Sequence, residues 1–249
     1  MIHKSAVVFL LTTIIMVQAA HFKVTSQINL DISIDNKSIG TITVGLFGDD
    51  SPKTVENFRQ ICLQGINGRS YNNTRFHRVI DRFIIQGGDI LSGDGRGSVS
   101  IYGKYFEDEN LTVDHSGPGL IGMANAAKDK NGCQFYITTM ESRWLNGKHT
   151  IFGKVVNGAA YVHVIEKSAT DESRRPIKDI VITKCSDQPM FSSYYYVSDN
   201  PYDLYAWIRA SAIPLGFSFG VLGLFHLLIR KLDRISKASE EFEKEQKSK

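Results

Sequence analysis

The chain has 249 residues, 42% of them hydrophobic and 10% aromatic, enough for one sizeable core with segments to spare. Its formal charge of +3 is set near the ends: residues 1–20 carry only Lys4, and the last twenty carry seven Lys/Arg against five Asp/Glu, which leaves 21 basic and 21 acidic residues between 21 and 229. A neutral body is a poor electrostatic match to nucleic acid, and that class of partner is excluded.

Residues 1–20 read as a signal peptide. Lys4 precedes the apolar run 6–17, and Val17-Gln18-Ala19-Ala20 offers small residues to a signal peptidase. The run is too short to span a bilayer comfortably. Further on, Ile28, Leu30, Ile32 and Ile34 alternate with polar residues, as do Ile42, Val44 and Leu46, with Asp35-Asn36 between the two runs. That pattern predicts an antiparallel hairpin. Asp50-Ser51-Pro52 predicts a helix start, with Val55, Phe58 and Cys62 on one face and Gly65 closing it. From about 70 to 154, short apolar strings broken by glycines predict strands and long ordered loops. A second short helix is expected over 160–167, and a last strand at Ile180-Val181-Ile182. Two short helices, many short strands and no alternating βα rhythm favour a mainly β fold built as a closed antiparallel barrel.

The expected domain, 21–187, gives way to a juxtamembrane linker over 188–209. Residues 210–229 contain no Asp, Glu, Lys or Arg, and as a helix they would extend roughly 30 Å, the thickness of a hydrocarbon core. Pro214, Gly216, Gly220 and Gly223 suit a membrane helix better than a soluble one. Tyr205 and Trp207 lie where an aromatic belt would sit. Arg230, Lys231, Arg234 and Lys237 place the basic tail 230–249 in the cytosol. The expectation is a single-pass type I membrane protein with its domain in the lumen. Asn36, Asn72 and Asn110 head sequons and are glycosylation candidates in that compartment. Cys62, Cys133 and Cys185 are an odd number, so at least one thiol is unpaired; a Cys62–Cys185 bridge and three buried free thiols both fit.

The chemistry lies in five segments: Phe76-His77-Arg78-Val79-Ile80, Ile85-Gln86-Gly87-Gly88-Asp89, Met123-Ala124-Asn125-Ala126, Asn131-Gly132-Cys133-Gln134-Phe135-Tyr136 and Trp144-Leu145-Asn146-Gly147-Lys148-His149. They supply a permanent cation, several amides, apolar surfaces and an imidazole, with no obvious nucleophile or phosphate cradle. No Cys/His cluster has the spacing of zinc ligands, so neither metal nor cofactor is expected. Gly93-Asp94-Gly95-Arg96-Gly97 lacks the glycine spacing and βαβ context of a nucleotide loop and reads as a surface loop. This equipment suits reshaping a peptide bond without breaking it.

These segments, in this order, resemble the cyclophilins, the peptidyl-prolyl cis–trans isomerases. The likeness runs from about residue 26 to 186 and includes Phe106-Glu107-Asp108-Glu109-Asn110, Gly117-Pro118-Gly119 and Phe152-Gly153-Lys154-Val155. It implies a closed eight-stranded antiparallel barrel with two short capping helices. It also implies catalysis by Arg78, with Gln86 orienting it. Phe83, Ile84, Tyr136, Leu145 and His149 match the family's proline pocket. Ala124, Asn125 and Ala126 match its peptide-binding edge, Gln134 belongs with the substrate site, and Trp144 matches the position that contacts cyclosporin A. The 93–97 loop then borders the peptide groove. The leader, the membrane segment and the stretch Ile61-Cys62-Leu63-Gln64-Gly65-Ile66-Asn67-Gly68 are most similar to membrane-anchored members from insect photoreceptors, which implies a polytopic, rhodopsin-like client.

Three residues depart from the family pattern: Ile84 stands where Met is usual, Tyr136 where Phe is usual, and Asn146 where Asp is common. Ile84 stiffens one pocket wall, and the Tyr136 hydroxyl needs a partner if buried. The function expected is a membrane-anchored isomerase of the endoplasmic reticulum or another secretory-pathway membrane, acting on X-Pro bonds of polypeptide clients. The alternative is a chaperone or escort for a membrane client, with catalysis incidental.

Overall fold

The computed structural model describes residues 21–197 and 220–237. The alternating runs form β2 (Ser26–Ile34) and β3 (Lys37–Leu46), paired from Ser26↔Leu46 to Ile34↔Lys37. Asp35 and Asn36 between them have φ of 52° and 62°, the left-handed pair that lets a two-residue turn match the twist of its strands. Ile28, Leu30, Ile32, Ile42, Val44 and Leu46 are all fully buried, so the period of two sends one whole face of the hairpin into the core.

The other strands follow in chain order: β4 (Thr74–Arg75), β5 (Arg78–Ile80), β6 (Ile84–Gly87), β7 (Leu120–Asn125), β8 (Asn131–Thr138), β9 (Ile151–Asn157) and β10 (Ile180–Gln188). With the hairpin they make one curled antiparallel sheet in the order β4-β10-β2-β3-β9-β7-β8-β6-β5. This differs from the closed eight-stranded barrel that the family likeness implies. The ladder holds nine strands, and its end strands β4 and β5 meet through Phe76-His77 rather than through ladder bonds. β4 pairs along both its residues with β10 and β5 along all three with β6, and no ladder joins β4 to β5.

Helix α1 (Pro52–Leu63) covers one end of the sheet with Val55, Phe58, Ile61 and Cys62 turned inward. Phe58 meets Phe135 edge-on at 5.2 Å and lies 5.0 Å from Tyr71 and 5.2 Å from Phe152. Truncating such a residue to Ala typically costs about 3–5 kcal/mol, so this aromatic cluster dominates the local packing. Ser51 does not cap the helix with its side chain; its hydroxyl donates to the Ile151 carbonyl at 3.3 Å. Glu109 takes that role from a distant loop, accepting the N–H groups of Lys53 at 3.0 Å and Thr54 at 2.7 Å. A carboxylate there satisfies free donors and faces the positive end of the helix dipole. Gly65, at φ 76°, ends the helix, and α2 (Ala159–Glu166) is the second one expected.

The stretch expected as a linker from 188 is partly domain. β10 runs to Gln188, and β11 (Tyr194–Val197) pairs antiparallel with β1 (His21–Val24) as a separate two-stranded sheet. Phe22 stacks on Phe47 at 4.9 Å and Val24 is fully buried, so both chain ends of the domain are tied to its second core cluster. The expected signal peptide, residues 198–209 and the first half of the expected span lie outside the described residues. Residues 220–237 form a helix whose second half carries Arg230, Lys231, Asp233, Arg234 and Lys237. Among the described residues, no helix is long and apolar enough to cross a membrane.

Cys62 of α1 and Cys185 of β10 form a disulfide across 123 residues of chain, while Cys133 is free and buried. Cross-linking so long a loop restricts the unfolded chain, and Cys62→Ser with Cys185→Ser is expected to lower unfolding stability by about 2–4 kcal/mol. Alkylation of the denatured, unreduced protein should label one thiol. Labelling of all three would remove the bridge.

Candidate active site

The site lies on the outward face of the sheet whose inward face is core. Register places Gly122, Tyr136, Gln86 and Arg78 in one row across β7, β8, β6 and β5. Opposed residues share a face, and their chain neighbours Ile121, Ile137, Ile85 and Val79 are buried on the other. Ile84 and Gln134 lie two residues along from Gln86 and Tyr136, on the same outward side.

Arg78, Gln86 and Gln134 form a relay whose polarity is determined from its far end. Gln134 Nε2 donates to the carbonyls of Gly95 at 2.8 Å and Gly97 at 2.7 Å, and carbonyls only accept. Its Oε1 must therefore accept, and it does so from Gln86 Nε2 at 3.0 Å. Gln86 Oε1 is left facing Arg78, whose guanidinium donates to it at 3.1 Å. No carboxylate pairs with Arg78 among the described residues.

The loop that starts the relay is organised by Asp89. Its buried carboxylate accepts N–H groups from Leu91 (3.0 Å), Ser92 (2.9 Å), Gly95 (2.8 Å) and Gly97 (3.0 Å), and the Ser92 hydroxyl at 2.7 Å. Burial alone would raise its pKa, but these hydrogen bonds outweigh that and hold it far below the usual carboxylate range. Gly95 has φ of 94°, and a Cβ there would stand 2.8 Å from the His77 ring, so only glycine lets the loop lie so close to the strands.

Beside the relay is an aromatic recess. Tyr136, 3% exposed, meets His149 edge-on at 5.7 Å. His149 Nδ1 lies 3.1 Å from the Met123 carbonyl, so that nitrogen carries the proton. Burial lowers the His149 pKa and keeps the ring neutral at physiological pH. Trp144, on the 3-10 turn Arg143–Leu145, is 54% exposed and packs 5.3 Å from Phe83; Leu145 is half-buried. On the other flank the ladder from β7 to β9 stops at Gly122, with a last bond from Met123 N–H to the Thr150 carbonyl at 3.0 Å. The backbone of Ala124 and Asn125 beyond it has no strand partner on that side among the described residues. Asn125 Nδ2 donates to the Lys148 carbonyl at 3.1 Å, tying this edge to the segment that bears His149.

Arg78, Gln86 and Gln134 thus form the relay, Tyr136 packs on His149 and Phe83 on Trp144, and Ala124 and Asn125 lie on the open edge, with Ala126 exposed just beyond it. The sequons lie apart: Asn36 is exposed at the hairpin tip, Asn72 Oδ1 accepts the Cys185 N–H at 2.6 Å, and Asn110 Oδ1 accepts the Thr112 hydroxyl at 2.6 Å. Sequence reasoning missed Asp89, Gly122 and His115. His115 is fully buried, and its Nε2 lies 2.6 Å from the Tyr136 hydroxyl. The signal was there in part, since a buried tyrosine in place of phenylalanine requires a new hydrogen-bond partner.

Comparison with known proteins gives the family. The model of the cyclophilin type peptidyl-prolyl cis-trans isomerase family matches residues 29–187. The rhodopsin-specific isozyme of peptidyl-prolyl cis-trans isomerase from Calliphora vicina is 49% identical over 217 residues, 87% of this chain and 92% of the relative. Isomerase CYP21-1 of Arabidopsis thaliana is 45% identical over 67% of this chain and 77% of its own length, and isomerase D of Saccharomyces cerevisiae 44% over 66% and 73%. With the family model matched over most of the chain and relatives of 44–49% identity, the chain belongs to the cyclophilin-type peptidyl-prolyl cis–trans isomerases.

Proposed function

We propose that this isomerase is anchored in a membrane of the secretory route and acts on X-Pro bonds of membrane clients. The catalytic part rests on one observation above all: Arg78 is positioned by a neutral amide and not neutralised by a carboxylate. Rotation about an X-Pro bond must break amide resonance over a barrier of about 18–20 kcal/mol. In the twisted form the proline nitrogen becomes pyramidal and basic, and a guanidinium that donates to it binds that form better than either planar isomer. Gln86 aims Arg78 and Gln134 aims Gln86. Phe83, Ile84, Tyr136, Leu145 and His149 receive the pyrrolidine ring, and their apolar surface desolvates the amide. Ala124, Asn125 and Ala126 offer backbone groups to the residues before proline. The reaction moves no proton, which suits a neutral His149 acting as a wall.

The anchor rests on sequence: the uncharged stretch 210–229 followed by four cations. Two further observations support it. The Calliphora alignment covers 217 residues, more than residues 21–197 can supply, so the likeness continues into the flanking segments. A disulfide suits an oxidising lumen. The relative's name, rhodopsin-specific, points to a polytopic receptor as client. Tethering both partners to one bilayer raises their effective concentration. β11 carries the domain to Val197, with twelve residues between it and the uncharged stretch.

Arg78→Ala is expected to remove about 2–4 kcal/mol of transition-state stabilisation, roughly 30- to 1000-fold in kcat/KM on an X-Pro tetrapeptide. Near-normal turnover would overturn the mechanism, and client maturation that survives an inactive Arg78→Ala would favour an escort role. Cyclosporin A is expected to bind saturably and to lose affinity in Trp144→Ala; binding indifferent to that change removes Trp144 from the site. In sealed microsomes, protease should clip only the tail after Ile229, and at least one of Asn36, Asn72 and Asn110 should carry glycan. A protected tail with a digested domain would invert the topology.

A further inference from the structure

We propose that His115 is a positioning residue for the proline pocket, holding the Tyr136 hydroxyl below the pocket floor and tying that floor to the turn that carries Trp144 and Leu145. This rests on the reading that Tyr136 and Leu145 receive proline. His115 is bonded to the turn at both ends. Its carbonyl accepts the Ser142 N–H at 2.9 Å, its own N–H donates to Asn146 Oδ1 at 2.8 Å, and its Nδ1 lies 3.0 Å from that same oxygen.

The proton positions follow from the partners. Asn146 Nδ2 donates to Asp114 Oδ1 at 2.6 Å, so Asn146 turns its carbonyl oxygen to His115. That oxygen only accepts, so His115 Nδ1 carries hydrogen and Nε2 is the acceptor. The Tyr136 hydroxyl donates to it at 2.6 Å. Gly122 makes room for this bond, because a Cβ there would lie 2.3 Å from the hydroxyl oxygen. The phenol is thereby drawn towards His115, and the floor keeps an apolar aromatic surface. Burial lowers the His115 pKa and keeps Nε2 free to accept.

Two of the departures from the family pattern are one device in this light. A carboxylate at 146 would face Asp114 at hydrogen-bond distance and would favour a protonated His115, whose Nε2–H cannot accept from Tyr136. An amide at 146 avoids both effects, so Asn146 and Tyr136 are suited to each other through His115.

Without His115 the buried hydroxyl loses its partner and must seek another, and the ring leaves its place. Full-length protein in detergent is assayed on an X-Pro tetrapeptide as a double-mutant cycle. His115→Leu is expected to raise KM about tenfold with kcat within threefold, and to change KM less than threefold in a Tyr136→Phe background, where no hydroxyl needs holding. His115→Gln, which keeps one acceptor and one donor, should restore most of the loss. Equal rises in both backgrounds, or a loss confined to kcat, overturn the proposal. If His115→Leu does not fold, Asn146→Ala on the half-buried turn runs the same cycle: a KM rise dependent on the Tyr136 hydroxyl supports the proposal, and an equal rise or none overturns it. Arg78→Ala, measured alongside, separates the two readings. Activity retained there defeats the catalytic assignment, whereas an inactive Arg78→Ala with a flat cycle defeats the His115 proposal alone.

Discussion

A backbone carbonyl accepts a hydrogen bond and never donates one. At Gly95 and Gly97 that asymmetry orients Gln134, through it Gln86, and through that Arg78. Glutamine amides are free to flip where their partners both donate and accept, and a flipped Gln86 would present N–H to a guanidinium that has only N–H to offer. The site therefore depends on a loop that contributes no side chain to the relay. That loop is itself set by one ionised carboxylate, Asp89, which gathers four N–H groups and a hydroxyl. Charge is placed where it organises backbone and kept away from Arg78. A carboxylate in Gln86's place would orient the guanidinium as well but would compete with the proline nitrogen for it.

The sheet serves two needs that usually conflict. Its inward face is close-packed around Phe58, Phe135 and Phe152, which fixes strand positions tightly. Its outward face inherits that precision without sharing the packing, so Arg78 stays exposed on a rigid strand. Where the β7–β9 ladder stops, Ala124 and Asn125 have no strand partner on the β9 side among the described residues, the kind of edge to which an extended peptide adds as a strand.

Much of this was legible in the sequence, for physical reasons that differ by element. The β2–β3 hairpin was readable because burial of one face imposes a period of two and Asp35-Asn36 tolerate positive φ. α1 was readable from Pro52 and Gly65, but its N-terminal partner Glu109 was not, since a carboxylate 55 residues from Thr54 leaves no local trace. The same holds for β11: four residues that read as linker become a strand only because β1 lies alongside. The site residues came from motif resemblance, which named Arg78, Gln86 and Tyr136 but was silent on His115, a partner 21 residues from Tyr136. Pairings of the three cysteines were likewise undecidable until the fold brought Cys62 and Cys185 to a Cα separation of 5.4 Å.

Neutrality is the common thread of the pocket. His115 and His149 both have their pKa lowered by burial, and the Tyr136 phenol is pushed upward by the same cause. An enzyme that transferred protons would need at least one group poised near the working pH, yet these rings are moved away from it or held in one tautomer. For bond rotation this is the favourable arrangement. The substrate amide loses polarity as it twists, so an uncharged pocket favours the transition state over the planar forms, and in the proposed mechanism the Arg78 guanidinium acts on the nitrogen lone pair that rotation releases. Titrating groups in the pocket would add charge that stabilises the planar amide dipole equally well, and the difference on which catalysis depends would shrink.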